Sequence, residues 1–130
     1  MRKGRWLLLV VLAVALAACG GGAAPSESGG GGGDAAAGEA VFNEVAAPAC
    51  NTCHSLEPGV TLVGPSLANI GAVAGSMVAG QSAEEYLHES IVNPSAFVVE
   101  GFSDLMPSSY GAQLTEKQIN DLVAYLLTLK

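Results

Sequence analysis

Three residues have types and a spacing that are specific for one chemistry: Cys50, Cys53 and His54, in the run Cys-Asn-Thr-Cys-His. This is the spacing of a covalent haem attachment site. Two thiols three residues apart lie on one side of a helical turn, where each can add to one haem vinyl group while the adjacent imidazole reaches the iron. The motif therefore predicts one covalently bound haem c, with thioether bonds to Cys50 and Cys53 and with His54 as an iron ligand.

Three other chemistries use closely spaced cysteines. A zinc site needs about four ligands, and beyond the motif only His88 or a carboxylate is available, with no second closely spaced pair. A thioredoxin-like pair is expected beside a strand in an alternating strand and helix pattern, which this sequence does not show. A disulfide between Cys50 and Cys53 is possible in an oxidising compartment, but so short a loop is strained. Haem attachment is the favoured interpretation.

The part of the chain that must position this motif is predicted to be all-α, because Gly and Pro punctuate its segments and no sustained period-2 pattern appears. We predict about four short helices. The first covers about residues 36–46, places Val41, Phe42 and Val45 on one apolar face, and ends before a proline. A short second turn or helix is predicted to begin near Pro65.

The other two predicted helices have clear start signals. Ser82 and Glu85 form a capping box at the start of the third helix, which Pro94 ends. Thr115 and Gln118 form the same box at the start of the last helix. The apolar stripe of that last helix consists of Ile119, Leu122, Leu126 and Leu129.

The first 37 residues have a different character. Residues 1–18 begin with cationic side chains and continue with an apolar run shorter than the roughly 20 residues that span a bilayer, as in a secretory signal. The run ends in Leu-Ala-Ala-Cys at Cys19, which resembles the lipobox of bacterial lipoproteins. We predict a lipoprotein signal peptide over 1–18, lipidation of Cys19, a Gly/Ala/Ser-rich tether over 19–37 and a folded domain over 38–130. Ordinary signal cleavage beside an incidental cysteine is the alternative.

Several segments beyond the attachment motif resemble the small class I c-type cytochromes, and the resemblance spans the whole predicted domain. The matching segments are Gly38 to Phe42, Gly64-Pro65-Ser66-Leu67, Gly101-Phe102, Met106-Pro107 and Leu122-Val123-Ala124-Tyr125-Leu126. The resemblance implies the cytochrome c fold, in which short helices wrap around one covalently attached haem. It also implies that the N- and C-terminal helices cross where Gly38 and Phe42 meet Tyr125.

The same resemblance implies roles for two residues outside the motif. The carbonyl of Pro65 would accept the N–H of the His54 ring and fix its orientation, and Met106 would be the second axial ligand of the iron. Met106 as a simple core residue is the alternative. Met77 is the rival methionine, but no proline follows it, and it lies in a glycine-rich segment. His88 lies beside three glutamates on the polar side of its helix, so we expect it to be solvated.

The charge of the chain limits its partners. The formal net charge is −7, and three of the five basic residues lie in the predicted signal peptide. Without them, Lys117 and Lys130 face twelve acidic residues, which gives −10. Such a surface repels phosphate backbones, so no nucleic acid is expected to bind. Its partners are expected to be redox protein donors and acceptors with basic or apolar docking faces.

An iron with both axial positions filled has no open site, so we expect an electron carrier and not an enzyme, with no small-molecule substrate. Single electrons would pass between respiratory-chain or similar complexes by outer-sphere transfer. The lipid would hold the protein outside the cytoplasm, in the periplasm or on the outer face of the cell membrane. Two alternatives stay open: a five-coordinate haem enzyme or gas sensor, and a fixed subunit of a larger complex.

Overall fold

The computed structural model describes residues 32–130, and this part of the chain contains helices and no strands. The predicted signal peptide, Cys19 and most of the predicted tether lie outside the described residues. None of the helices in the described range has the length and apolar content needed to cross a membrane. The five α-helices are α1 (Ala35–Ala40), α2 (Ile70–Val73), α3 (Ala83–Val92), α4 (Tyr110–Gln113) and α5 (Glu116–Thr128).

Helix α1 begins earlier than the predicted domain boundary at residue 38. The carboxylate of Asp34 accepts the N–H groups of Ala36 and Ala37 and so caps the helix. The N–H of Asp34 itself donates to Oδ1 of Asp121 on α5, at 2.8 Å. Because of this cap and this tertiary hydrogen bond, residues next to the glycine run belong to the folded domain despite their small-residue composition.

A π-helical turn, Val41–Val45, continues α1. The N–H of Ala46 donates to the carbonyl of Val41 at 3.2 Å, which is the wider i→i+5 bond. Val41 and Phe42 are buried, but Val45 is 46% exposed. The prediction that all three share one buried face is therefore wrong for Val45, since the wider turn rotates that residue out of the face.

Helices α1 and α5 cross, as the resemblance to cytochromes c implies. A Cβ atom on Gly38 would collide with the backbone carbonyl of Asp121, so the two helices approach more closely than any side chain would allow. One turn further on, the rings of Phe42 and Tyr125 pack with their centroids 5.7 Å apart. The predicted all-α cytochrome c fold is confirmed.

The two capping boxes predicted from the sequence are both present. At α3, the Ser82 hydroxyl accepts the N–H of Glu85 while the Glu85 carboxylate accepts the N–H of Ser82. Thr115 and Gln118 make the same reciprocal pair at α5. Helix α5 then buries most of its predicted apolar stripe, of which Leu129 is only partly buried. The buried members are Ile119, Leu122 and Leu126.

Two short helices differ from the prediction. Helix α2 begins at Ile70 and not near Pro65, because the backbone around Pro65 is held to the attachment motif: the N–H of Leu67 donates to the carbonyl of Ser55 at 2.9 Å. Helix α4 was not predicted. It is a single turn that buries Tyr110 and leads directly into the start of α5.

Candidate haem site

The attachment motif forms one tight turn. Residues Cys50–Thr52 are a 3₁₀ turn, and the carbonyl of Cys50 accepts the N–H groups of Cys53, at 3.1 Å, and His54, at 2.9 Å. Both thiols are free and not joined in a disulfide. The turn therefore brings two thiols and one imidazole together, as the spacing of the motif predicts.

The imidazole of His54 is held by the segment that follows the motif. Its Nδ1 lies 2.8 Å from the carbonyl oxygen of Pro65, so Nδ1 carries the proton and donates it to that carbonyl. The lone pair of Nε2 is then available to a metal. Gly64 lies against the same ring, and a Cβ atom there would stand 2.5 Å from Cε1 of His54. The ring is thus fixed in both tautomer and position.

Side chains from two helices tie the motif to the rest of the domain. The amide of Asn51 donates to Oδ1 of Asn43, at 3.0 Å, on the turn that extends α1. The buried Tyr110 of α4 donates its hydroxyl to the carbonyl of Pro48, at 2.8 Å, just before the motif. These bonds position the motif against the framework of the domain.

A cavity with mainly apolar walls opens in front of these groups. Its lining includes Cys50, Cys53 and His54 together with Met106. Much of the segment 97–107 contributes to the wall. Its aromatic lining residues are Phe42, Tyr86, Phe97, Phe102 and Tyr110. Among the described residues no lysine or arginine lines the cavity, and Asp104 is the one carboxylate that does.

Both methionines of the described range line this cavity. Met106 is partly buried, packs against the core and precedes Pro107. Met77 lies in a glycine-rich segment, yet it ends a 3₁₀ turn, donates its N–H to the carbonyl of Ala74 at 3.2 Å and also packs against the core. Placement alone therefore does not separate the two thioethers.

A comparison with protein families identifies this arrangement. The family model described as "Cytochrome C oxidase, cbb3-type, subunit III" matches residues 33–126, most of the chain. The chain belongs to this family of c-type cytochrome domains. The match begins beside Asp34, where the structure also begins its first helix. A comparison with curated proteins gave no match.

Membership of the family brings haem c with it, covalently bound, and a role in electron transfer with redox protein partners. Cytochrome domains of this kind are usually extracytoplasmic. The residues of this c-type cytochrome fit the cofactor, because a flat apolar ring needs apolar walls, two thiols and an oriented imidazole at one cavity. No group of three or more His, Cys, Asp or Glu side chains in the described range is arranged to hold a metal ion by itself.

Burial raises the pKa of two groups that line the cytochrome's cavity. Burial of the Cys50 thiol raises its pKa to about 11, so before attachment the thiol stays protonated at neutral pH. Burial also raises the pKa of Tyr110, which keeps its hydroxyl available as the donor to Pro48. Both groups are neutral at pH 7, so they add no charge to the cavity wall.

The second histidine of the cytochrome domain lies away from the cavity. Nε2 of His88 is 3.1 Å from Oε1 of Glu116, and the His88 side chain is 39% exposed. It lines an open groove between α3 and α5. The expectation that His88 is solvated agrees with this position.

Sequence reasoning missed two residues that support the site. Gly64 belongs to a segment that resembles the cytochromes, but the resemblance did not predict its contact with the His54 ring. The position of Gly64 directly before Pro65 is the one feature of the sequence that indicates this contact. Asp121 is 3% exposed and accepts hydrogen bonds from the N–H of Asp34 and from Nζ of Lys117, at 2.7 Å. No local pattern distinguishes Asp121 from a solvated helix carboxylate.

Proposed function

We propose that this cytochrome is a one-electron carrier in which His54 and Met106 ligate the iron and thioether bonds to Cys50 and Cys53 hold the haem. The observation that carries the proposal is the hydrogen bond from Nδ1 of His54 to Pro65, inside a cavity that Met106 also lines. Because Nδ1 is used in this hydrogen bond, Nε2 of His54 is the nitrogen that can bind a metal, and the thioether of Met106 lies at the same cavity.

Each residue has a defined task in this mechanism. Haem c, when bound, supplies an iron that takes up and releases single electrons. The Pro65 carbonyl makes the His54 imidazole a stronger donor and prevents its rotation. The soft sulfur of Met106 would favour the ferrous state and so raise the reduction potential. Tyr86 and Phe97, packed edge to face with centroids 5.9 Å apart, help to exclude water from the cavity.

If His54 and Met106 both hold the iron, no position would be left for a substrate. We therefore propose outer-sphere electron transfer and not catalysis. A five-coordinate enzyme or gas sensor would require that neither Met106 nor Met77 binds the iron. Rapid binding of carbon monoxide to the reduced protein would favour that alternative.

The partners are proposed to be redox complexes of a respiratory or similar chain, with basic or apolar docking faces. In the described part of the chain only Lys117 and Lys130 oppose the acidic side chains. A basic partner would be steered toward such a surface, and the association rate would fall as salt rises. A partner reaction that is insensitive to salt would contradict electrostatic steering.

Lipidation of Cys19 is proposed to hold the protein on the outer face of a membrane. The support is the signal-like segment before Cys19 and the Leu-Ala-Ala-Cys run. Confinement near membrane complexes raises the effective concentration of the carrier, so weak contacts with a partner suffice. Mass measurement of the mature N-terminus tests this, and an unmodified Cys19 would contradict it.

A fixed subunit is the second candidate, because the family description names a subunit of a cbb3-type oxidase. Purification from membranes in a mild detergent separates the two roles. A mobile carrier is released alone, whereas a fixed subunit remains with a complex through several columns.

The ligand assignment is tested with a pair of methionine variants. In the haem-loaded protein, Met106→Ala is expected to remove the sulfur-to-ferric-iron absorption band and to lower the reduction potential. Met77→Ala is the matched control because Met77 lines the same cavity, and it is expected to keep the band. A band that survives in Met106→Ala and disappears in Met77→Ala would reverse the assignment.

A further inference from the structure

One carboxylate, that of Asp104, belongs to the wall of the haem cavity, on the same segment as Met106. The residue is exposed, and its neighbours in the cavity lining include the apolar side chains of Phe102 and Leu105. Apolar walls screen a charge less than water does. The charge of Asp104 therefore acts on any group that the cavity holds.

The charge of Asp104 has no basic partner in the described part of the chain. The ion pairs of residues 32–130 lie on α3 and α5, and neither of them includes Asp104. No lysine or arginine of this range contributes to the cavity lining. At the cavity, the Asp104 carboxylate thus acts as an unpaired negative charge.

A short turn fixes the backbone at Asp104. The N–H of Leu105 donates to the carbonyl of Ser103, at 2.9 Å, which closes a three-residue turn with Asp104 at its centre. Met106 follows this turn directly in the chain and lines the same cavity. The carboxylate and the thioether therefore belong to one short, hydrogen-bonded part of the cavity wall.

The charge of Asp104 affects the one step that the proposed carrier performs. When the carrier is oxidised, it gives one electron to its acceptor and its iron gains one unit of positive charge, with no bond made or broken. A negative charge near the iron stabilises the more positive ferric state and lowers the reduction potential. The sulfur of Met106 would act in the opposite direction.

We propose that Asp104 sets the reduction potential of this cytochrome, holding it below the value that His54 and Met106 would give without the carboxylate. This deepens the proposed electron-carrier function and rests on it. A lower potential makes the reduced cytochrome a stronger electron donor. A carboxylate that served only to dock a partner would change the reaction with that partner and leave the potential unchanged.

The test measures the redox equilibrium between the haem-loaded protein and a small quinone mediator of known potential, at low ionic strength. Two unit charges about 12 Å apart change an equilibrium constant about twofold to tenfold, for effective dielectric constants of about 80 to 20. Asp104→Asn is therefore expected to shift the equilibrium about twofold to tenfold toward the reduced protein. Asp104→Glu keeps the charge and should stay close to the wild type.

Glu100→Gln is the matched control, because Glu100 is an exposed carboxylate of the same segment that does not line the cavity. It should shift the equilibrium less than Asp104→Asn does. The effect of Asp104→Asn should also shrink at about 1 M salt, where the Debye length is about 3 Å. The sulfur-to-ferric-iron band should be the same in every variant, since the proposed ligands are unchanged.

An unchanged potential in Asp104→Asn, or an equal shift in Glu100→Gln, overturns the proposal. So does an equal shift in Asp104→Glu, because the charge is then not the cause. Loss of the sulfur-to-iron band in Asp104→Asn also overturns it, since Asp104 would then act through the position of Met106. A wild type that carries haem but shows no reversible one-electron couple is a different result, and it contradicts the electron-carrier function itself.

Discussion

The contact between Gly64 and the His54 ring leads to a quantitative prediction. In Gly64→Ala the added methyl would stand 2.5 Å from Cε1 and 2.9 Å from Nδ1 of the imidazole. Ordinary contact begins near 3.4 Å, so the ring or the backbone must move by about 0.9 Å, which is overpacking in a confined site.

The imidazole cannot make that movement freely, because Nδ1 is bonded at 2.8 Å to the carbonyl of Pro65, the residue next to Gly64. Moving either partner stretches this bond. We expect Gly64→Ala to lower the free energy of unfolding of the haem-loaded protein by about 1–3 kcal/mol. The absorption spectrum should also change, since the axial imidazole is displaced. Denaturant unfolding followed by haem absorption measures both effects.

Gly75→Ala is the matched control, because its added methyl would lie 3.6 Å from the nearest atom, the N of Ala83. That variant is expected to be neutral or slightly stabilised, by up to about 1 kcal/mol, with an unchanged spectrum. If Gly64→Ala and Gly75→Ala behave alike in stability and spectrum, the steric argument is wrong.

Three further predictions concern the framework around the site. Burial acts to raise the pKa of Asp121, but hydrogen bonds from the Asp34 N–H and Lys117 outweigh it and hold the pKa below its ordinary 3.8. The carboxylate therefore stabilises the fold at neutral pH, and this contribution is lost as the pH falls below about 4 toward the lowered value. Asp121→Asn should cost about 1–3 kcal/mol at pH 7 and should reduce the loss of stability that the wild type shows below about pH 4; an unchanged curve in thermal unfolding would count against it. Gly38→Ala should cost about 3 kcal/mol, or prevent folding, because its methyl collides with the α5 backbone; a near-neutral effect in denaturant unfolding would refute the close crossing. Thr115→Ala removes the N-cap of α5 and should cost about 1 kcal/mol in the same assay, whereas no loss would mean that the capping box contributes nothing.

The parts of the fold that could be predicted are those whose causes are local. Ser82 with Glu85 and Thr115 with Gln118 start helices through contacts three residues apart, so the sequence pattern is sufficient. The start of α1 is different, because the N–H of Asp34 bonds to a carboxylate 87 residues away. Beside a glycine run, that tertiary contact has no local signature.

The candidate site was predictable to a similar degree. The attachment motif could be read directly, since its chemistry depends on residues adjacent in the chain. The position of Met77 could not be predicted from the sequence, because glycines surround it. In the structure its side chain packs against the core at the cavity. The contact of Gly64 with His54 depends on how the loop returns to the motif, and only the fold determines that.

Covalent attachment of haem to Cys50 and Cys53 can be measured directly. The most direct measurement is an absorption spectrum of the protein matured in a haem-attaching host, taken before and after denaturation and extraction with acidified organic solvent. The haem absorption is expected to stay with the denatured polypeptide. Haem that passes entirely into the organic phase would contradict it.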